Sequence, residues 1–217
     1  MNTGIHLGLI PDGTRRWSRH NNVPMFDMLK MLVNLISHAK RDMAEEKLDN
    51  LKLITSFSVY LLSKDNVTKR TDKTVGMIEF GLNLFLEEID CSELDISFVG
   101  ELEILPKTMQ DICHRIQAKC FSNDQNIKPR LKIICALAYD PIEDCRRVLN
   151  HDADRCDQSP IDLVVRTGHE IRSSGFFPLH TLYSEWFYLP KLLPDLTLKD
   201  LDTCIEQFKT RNRNFGK

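Results

Sequence analysis

Two short apolar runs, one near each end of the chain, break into glycine-containing turns that carry arginines and hydroxyl groups. The first run, Ile5–Ile10, leads into Asp12–Trp17, and the second, Ile161–Val165, leads into Arg166–Gly175. A buried strand that ends in such a turn is typical of a phosphate-binding loop, because the free backbone N–H groups and the arginines both attract an anion. Two such loops in one small chain predict a ligand, or a pair of ligands, with several phosphate groups.

Between these two stretches, strand-like and helix-like segments alternate. The predicted strands are Ile5–Ile10, Leu51–Phe57, Leu94–Val99, Leu131–Ala138, Ile161–Val165 and Glu185–Tyr188. The predicted helices are Phe26–Glu46, Asp72–Asp90, Pro106–Lys119, one from about Pro141, and Leu198–Arg211. The polar stretch Ser58–Thr71 is predicted to be a loop. This alternation predicts an α/β fold, with a mostly parallel central sheet of about six strands flanked by helices.

The composition narrows the class of protein. With 217 residues and 42% apolar content, residues 1–217 are predicted to form a single domain. The 29 basic and 31 acidic side chains give a net charge of −2, which argues against nucleic acid as a partner. The seven cysteines show no Cys-x-x-Cys spacing and no signal peptide is recognised, so we expect free thiols and a cytoplasmic location. No apolar run reaches the roughly 20 residues of a membrane span.

The first arginine-rich turn predicts both an anion site and a metal site. Gly13 lets the backbone approach a phosphate closely, and Arg15 and Arg16 add fixed positive charge. Asp12 would repel a bound anion unless a divalent cation lay between them, and Mg²⁺ often binds through one or two carboxylates plus substrate phosphate oxygens. Asp12 is therefore predicted to be a metal ligand, with a helix N-cap as the alternative.

The second turn predicts a diphosphate site. Arg166 and Arg172, together with Ser174, offer two guanidinium groups and a hydroxyl to the same anion. The alternative is a structural role, in which either arginine only pairs with Glu170 or Asp162. Because ligands of open α/β sheets bind beyond the carboxyl ends of the strands, both turns are expected on one rim of the sheet.

Two further features leave alternatives open. Glu185 lies in an apolar setting, where an unpaired carboxylate is costly, so either a metal or arginine partner or partial exposure is expected. The helix Asp72–Asp90 is apolar on more than one face, which fits either core packing or the wall of an apolar tunnel. A cleft that binds an anionic head beside apolar walls suits an isoprenyl diphosphate. Mg²⁺ and the arginines would neutralise the negative charge of its diphosphate as that group departs.

A group of stretches carries a resemblance to a known family. They are Ile10–Trp17, Ser56–Ser58, Phe98–Gly100, Asp162–Phe176, Tyr183–Phe187, Pro194–Asp195 and Arg211–Gly216. Together they resemble the cis-prenyltransferase (undecaprenyl diphosphate synthase) family, from the first strand to the C-terminus. The resemblance implies that family's fold, Mg²⁺, isoprenyl diphosphate substrates and a homodimer.

The resemblance also implies roles for individual residues. Asp12 would be the catalytic carboxylate and would bind the metal together with Glu185. The residues expected at the allylic diphosphate are Gly13, Thr14, Arg15, Arg16 and Trp17. The residues expected at the second diphosphate are Arg166, Arg172 and Ser174. Ser58, which is expected at the end of the second strand, completes the predicted substrate-binding residues.

The chain departs from the family members that elongate prenyl chains. Those members usually have Asn in place of Thr14, and a Gly-His pair in the helix that here includes Phe26–Leu32. They have a Ser-x-Asn-Trp-x-Arg-Pro stretch where this chain has Ser58–Thr71, in which only Asn66 matches. Asn214 replaces an arginine of their C-terminal signature. These losses fall on the elements that activate isopentenyl diphosphate.

The departures are similar to those of the irregular branch of the family, the lavandulyl and cyclolavandulyl diphosphate synthases. Members of that branch join two molecules of dimethylallyl diphosphate head to middle, so we expect irregular coupling of two dimethylallyl diphosphates. Two alternatives stay open. One is a regular short-chain cis-prenyltransferase that uses isopentenyl diphosphate, and the other is a non-catalytic partner subunit of such an enzyme.

Overall fold

A parallel sheet forms the centre of the computed structural model, which describes residues 4–69, 72–120, 131–150 and 159–211. Strands β1 to β6 are Ile5–Ile10, Ile54–Ser63, Leu94–Val99, Leu131–Tyr139, Leu163–Arg166 and Glu185–Tyr188. Helices α1 to α7 are Thr14–Asn21, Met25–Glu45, Lys64–Lys69, Asp72–Glu88, Lys107–Cys120, Pro141–Leu149 and Leu198–Thr210. The six strands lie in the order β3-β4-β2-β1-β5-β6, and every neighbouring pair is parallel. The predicted α/β class is confirmed.

Both faces of the sheet are covered, as is usual for an all-parallel sheet. Every residue of β1 and β5 is buried. Helices α4, α5 and α7 cover one face with side chains such as Met109 and Ile205. The other face is covered by the connection between β5 and β6, whose Phe176 and Phe177 are completely buried against Val164. This connection also carries the second arginine-rich turn.

The second strand differs from its prediction at both ends. A short 3-10 helix, Asp49–Leu53, precedes it, and Asn50 holds this turn to α7 through two hydrogen bonds to Asp202, each 3.0 Å long. At the other end, β2 continues to Ser63 because Leu62 is buried in the core. The predicted loop Ser58–Thr71 is therefore wrong for residues 58–69, which form the end of β2 and helix α3, while residues 70–71 lie outside the described residues. Tertiary burial outweighs the polar character of the local sequence.

Helix α1 was not among the predicted helices, because the sequence after Gly13 was interpreted as a turn and a helix was implied only by the alternative role of Asp12 as an N-cap. Gly13 adopts a φ of 101°, and a Cβ atom at this position would lie 2.6 Å from the Leu192 side chain. Glycine therefore permits both the left-handed conformation and the close packing from which the helix starts. The helix carries Arg15 and Arg16 away from the end of β1.

Membrane-spanning helices and disulfide bonds are both absent from the part of the chain that the structure describes. None of its helices is both long and apolar enough to cross a membrane. The cysteines found there are free thiols, as expected: Cys91, Cys113, Cys120, Cys135, Cys145 and Cys204. Cys156 lies outside the described residues.

Candidate active site

The two arginine-rich turns meet at one rim of the sheet. Strands β1 and β5 are neighbours, and Ile10 pairs with Arg166 at their carboxyl ends. Asp12 follows directly, and its Oδ2 lies 3.1 Å from Nη2 of Arg166. Arg16 links the turns again, because its Nη2 donates to the Gly168 carbonyl at 2.6 Å and lies 3.4 Å from Oδ1 of Asp12. The prediction that both turns share one rim is confirmed.

The backbone of Asp12 is fixed by residues from the other end of the chain. The buried Thr167 hydroxyl accepts a hydrogen bond from the Asp12 N–H and donates one to the Asp12 carbonyl, both at 2.8 Å. The Leu193 N–H donates to the same carbonyl at 3.0 Å. The N-cap of α1 is Gly13, without a side-chain cap, so the alternative role of Asp12 as a helix cap is excluded. The carboxylate instead faces a cleft.

Arg166 is a buried cation at the base of this cleft, with only 4% of its surface exposed. Its Nη1 donates to the Arg172 carbonyl at 2.6 Å and to Oγ of Ser174 at 2.7 Å. Its charge partner is Asp12, so the alternative pairing with Glu170 or Asp162 is not found for this arginine. Within the described residues its Nε has no hydrogen-bond partner, which is unusual for a buried donor and typical of an anion site.

Arg172 differs from Arg166 in its exposure. Its side chain is 62% exposed and pairs with Glu170, as the structural alternative proposed. Its carbonyl nevertheless helps to hold Arg166, and its side chain lines the cleft. Exposed ion pairs contribute little to stability, so this guanidinium can change partners at low cost.

The loop that carries these residues is strained. His169, Ser174 and Phe177 have positive φ angles of 68°, 52° and 40°. Residues other than glycine rarely adopt this backbone conformation. Such strain concentrates at sites where the surrounding structure fixes a functional geometry. Here the strained loop places Ser174 beside Arg166 and Phe176 in the core.

The cleft has a volume of about 900 Å³, and its lining includes both charged and apolar side chains. Its cationic side chains are Arg15, Arg16, Lys64, Lys69, Arg166 and Arg172. Its carboxylates are Asp12, Asp65 and Asp140, and its apolar side chains include Ile10, Leu61, Leu62, Met77 and Ile78. The positive charges exceed the negative ones, so the cleft suits an anionic head with a short apolar tail. Met77 and Ile78 belong to α4, so the predicted helix Asp72–Asp90 contributes to this wall as well as to the core.

One polar wall of the cleft was missed because the sequence was interpreted there as a loop. Lys64, the first residue of α3, lies 2.7 Å from Glu101 and 3.4 Å from Asp140. The hydrogen bond to Glu101 raises the pKa of Lys64. Ser63 and Asn66 flank it on the same wall. The continued apolar run from Val59 to Leu62 was the available signal that the strand extends to this rim.

Ser58 does not lie at the end of a strand, so that prediction is wrong. It lies in the middle of β2, is completely buried, and pairs with Gly8 of β1. Its Oγ is 2.8 Å from Nε2 of His6. The serine at the end of β2 is Ser63, and it is Ser63 that lines the cleft.

The structure does not bring Trp17 and Glu185 to the cleft. The Trp17 indole N–H donates to Oδ1 of Asp195 at 2.7 Å. Glu185 begins β6 and is paired with Leu163, three positions before Arg166, which is about 10 Å along the strand. Its carboxylate pairs with Arg211, so the expected arginine partner is present. The role of Glu185 as a metal ligand stays a prediction.

The donor set fits Mg²⁺ only in combination with a substrate. Among the described residues, no group of three or more His, Cys, Asp or Glu side chains could hold a metal ion. Asp12 offers one carboxylate that is 35% exposed and faces the cleft. One carboxylate plus substrate phosphate oxygens is a common Mg²⁺ site.

The chain is similar in sequence to members of a known protein family. Residues 10–216 match the family model described as "Putative undecaprenyl diphosphate synthase". The tritrans,polycis-undecaprenyl-diphosphate synthases of Aeropyrum pernix (geranylgeranyl-diphosphate specific) and Sulfolobus acidocaldarius (GGDP specific) are 28% and 30% identical. These matches cover 97% and 98% of this chain and 97% and 87% of the two relatives.

The same fold occurs in a solved structure. Lavandulyl diphosphate synthase from Lavandula x intermedia, in complex with dimethylallyl diphosphate, matches with a TM-score of 0.76. The match covers 100% of this chain and 99% of that one, at 23% identity. The family model spans nearly the whole sequence and both arginine-rich turns. The chain therefore belongs to the undecaprenyl diphosphate synthase family of prenyltransferases.

Proposed function

We propose that this chain couples two molecules of dimethylallyl diphosphate head to middle. The observation that carries the prenyl-transfer chemistry is the 3.1 Å contact between Asp12 and Arg166, at the polar end of a cleft with an apolar wall. The cleft volume of about 900 Å³ lies within the range of roughly 300–1,000 Å³ that is usual for small-molecule sites. This volume can hold small isoprenyl diphosphates.

In the proposed reaction, the diphosphate of one substrate is the leaving group. The bond between its allylic carbon and the diphosphate oxygen breaks, and the diphosphate keeps the electron pair. Arg15 and Arg16 stabilise the developing negative charge, because they are held at the start of α1 before the reaction begins. When bound by Asp12 and substrate oxygens, Mg²⁺ would supply further neutralisation of that charge.

The second substrate would bind with its diphosphate at Arg166, Arg172 and Ser174. Its double bond then attacks the allylic cation and a new carbon–carbon bond forms. The resulting cation loses a proton to the departed diphosphate, which restores a double bond. Arg166 is suited to orient this substrate because three hydrogen bonds, to Arg172, Ser174 and Asp12, fix its guanidinium. A fixed orientation decides which carbon of the second substrate attacks the cation, and that carbon distinguishes irregular from regular coupling.

The departures from the elongating members support irregular coupling. In the helix where those members carry the Gly-His pair, Met28 of this chain is completely buried and Leu29 packs beside Gly81. Residues 26–32 of α2 contain neither a glycine nor a histidine. A protein of the same fold binds dimethylallyl diphosphate, which is compatible with the proposal.

A regular reaction with isopentenyl diphosphate is the second candidate. It is favoured by the names of the sequence relatives and by Asn66, which lies on the cleft. The test is incubation of the purified protein with Mg²⁺ and dimethylallyl diphosphate alone, then with isopentenyl diphosphate added, with products identified by mass spectrometry. Product from the single substrate supports irregular coupling, and a strict need for isopentenyl diphosphate rules it out. Product that forms only after a second family member is added favours the partner-subunit alternative.

We also propose a homodimer, as the family resemblance implies. Helix α6 has no buried residue within the described structure and leaves Ile142 and Leu149 more than half exposed, which supports an interface on this side. Light scattering coupled to size-exclusion chromatography should give twice the mass of the chain. A monomeric mass at micromolar concentration would contradict this proposal.

A further inference from the structure

Tyr60 lies in the same row of the sheet as Arg166. Its neighbour Val59 pairs with Leu9, and Ile10 pairs with Arg166, so Tyr60 and Arg166 flank Ile10 on adjacent strands. Two strand spacings separate their backbones by about 10 Å. Tyr60 packs in the same buried cluster as Val164, and residues two apart in a strand point to the same face, so both side chains face the same side of the sheet.

One loop holds both side chains. The Arg172 carbonyl and the Ser174 hydroxyl accept hydrogen bonds from Arg166. Two residues later, the ring of Phe176 stacks on Tyr60 with a centroid distance of 5.8 Å. Tyr139 contacts Tyr60 edge to face at 5.6 Å. The position of the Tyr60 ring is therefore coupled to the position of the predicted second diphosphate site.

The Tyr60 hydroxyl is available to a ligand. Tyr60 lines the cleft, and among the described residues no protein group forms a hydrogen bond with its hydroxyl. Burial, helped by the charges of Asp140 and Asp65, raises the pKa of Tyr60 to about 12, so the phenol stays protonated near neutral pH and can donate. The Tyr139 hydroxyl, by contrast, donates to Asp144 at 2.7 Å.

We propose that the Tyr60 hydroxyl donates a hydrogen bond to the diphosphate that Arg166 and Ser174 hold, which makes Tyr60 a further substrate-contacting residue. The inference rests on the proposed function, because it requires a diphosphate at this site. The alternative is that Tyr60 serves only as a packed ring between Phe176 and Tyr139. The two possibilities differ in the hydroxyl alone.

The test compares Tyr60→Phe with wild type by calorimetric titration of inorganic diphosphate, with and without Mg²⁺. The variant keeps the ring and its packing, so its thermal midpoint should stay close to that of wild type. Loss of one hydrogen bond to a charged ligand should weaken diphosphate binding about 10-fold. Tyr139→Phe is the matched control: its hydroxyl is committed to Asp144, so its diphosphate affinity should stay within about 2-fold of wild type.

The outcomes separate this inference from the proposed function. Wild-type affinity in a folded Tyr60→Phe variant overturns the role of the hydroxyl and leaves the proposed function intact. An equal loss in both variants also overturns it, because that result indicates repacking of the aromatic cluster. If the wild type binds no diphosphate, both the inference and the proposed function fail.

Discussion

The Asp12 carboxylate and the Arg166 guanidinium lie 3.1 Å apart although 154 residues separate them in the chain. The pair places one negative charge next to a cation that is almost completely buried. A bound diphosphate would bring further negative charge to the same place. A change in the charge of either residue should therefore affect both substrate binding and the stability of the fold.

Replacement of Asp12 by Asn should lower the turnover rate at least about 100-fold at saturating Mg²⁺, because the carboxylate predicted to bind the metal beside the substrate is lost. The thermal midpoint should also fall, since Arg166 loses its charge partner. Added inorganic diphosphate should restore part of this midpoint by binding to the folded state. Rates of product formation and melting curves check both effects. A variant that turns over at the wild-type rate would contradict the role of Asp12.

Replacement of Arg172 by Ala should act mainly on binding. The carbonyl that holds Arg166 remains, and only an exposed guanidinium paired with Glu170 is removed. We expect the KM of the second substrate to rise about 10-fold while kcat changes less than about 3-fold. Arg146→Ala is a matched control, because Arg146 is an exposed arginine of α6 paired with Glu143. Equal kinetics of the two variants would remove Arg172 from the site.

Replacement of Thr167 by Val tests the support of the Asp12 turn. The variant keeps the buried volume but removes two hydrogen bonds to the Asp12 backbone, so the free energy of unfolding should fall by about 1–3 kcal/mol. The turnover rate should fall about 10-fold, because the carboxylate is no longer held in place. Urea denaturation and steady-state kinetics measure the two effects. Thr203→Val, which removes an exposed hydroxyl of α7, should change neither.

His6 should make stability fall at acidic pH. Its ring is buried, with Nε2 at 2.8 Å from Ser58 Oγ and Nδ1 at 3.1 Å from the Ser159 carbonyl. Burial lowers the pKa of His6 from 6.5 to about 4, so the unfolded chain binds the proton more tightly than the folded one. The stabilisation is complete above pH 6.5 and is lost as the pH falls toward 4, with about 2 kcal/mol lost by pH 5.

The measurement for His6 is urea denaturation between pH 7.5 and 5. His6→Gln keeps hydrogen-bonding groups but does not titrate, so the free energy of unfolding of this variant should depend less on pH than that of wild type. If the two pH profiles are parallel, other groups cause the acid sensitivity.

The sequence predicted the meeting of the two turns because the rule for parallel sheets is general: strands delivered in the same direction end at the same rim. The prediction that Ser58 ends the second strand was wrong, because the end of a strand depends on which residues are buried in the core. Leu62 packs in the core and extends β2 by six residues beyond the predicted end at Phe57. The same error hid the Lys64 wall and left Tyr60 in a predicted loop.

Glu185 shows another limit of the sequence. The strand that begins at Glu185 was predicted with the correct bounds. The distance of Glu185 from Arg166 along the sheet, however, follows from the register between β5 and β6. Register depends on contacts between distant segments, so a local pattern does not contain it. Helix α1 was missed for a related reason, because the positive φ of Gly13 is used here to pack against Leu192.

The position of β1 has a consequence for synthesis of the protein. This strand leaves the ribosome before the other five strands of the sheet, but it lies between β2 and β5 and lacks one neighbour until residues 163–166 have been made. During that interval an apolar strand presents an unpaired edge, which is a known hazard for aggregation. The most vulnerable period of this chain should therefore be its translation, and chaperone depletion should reduce the yield of folded protein more than it reduces the survival of protein that has already folded.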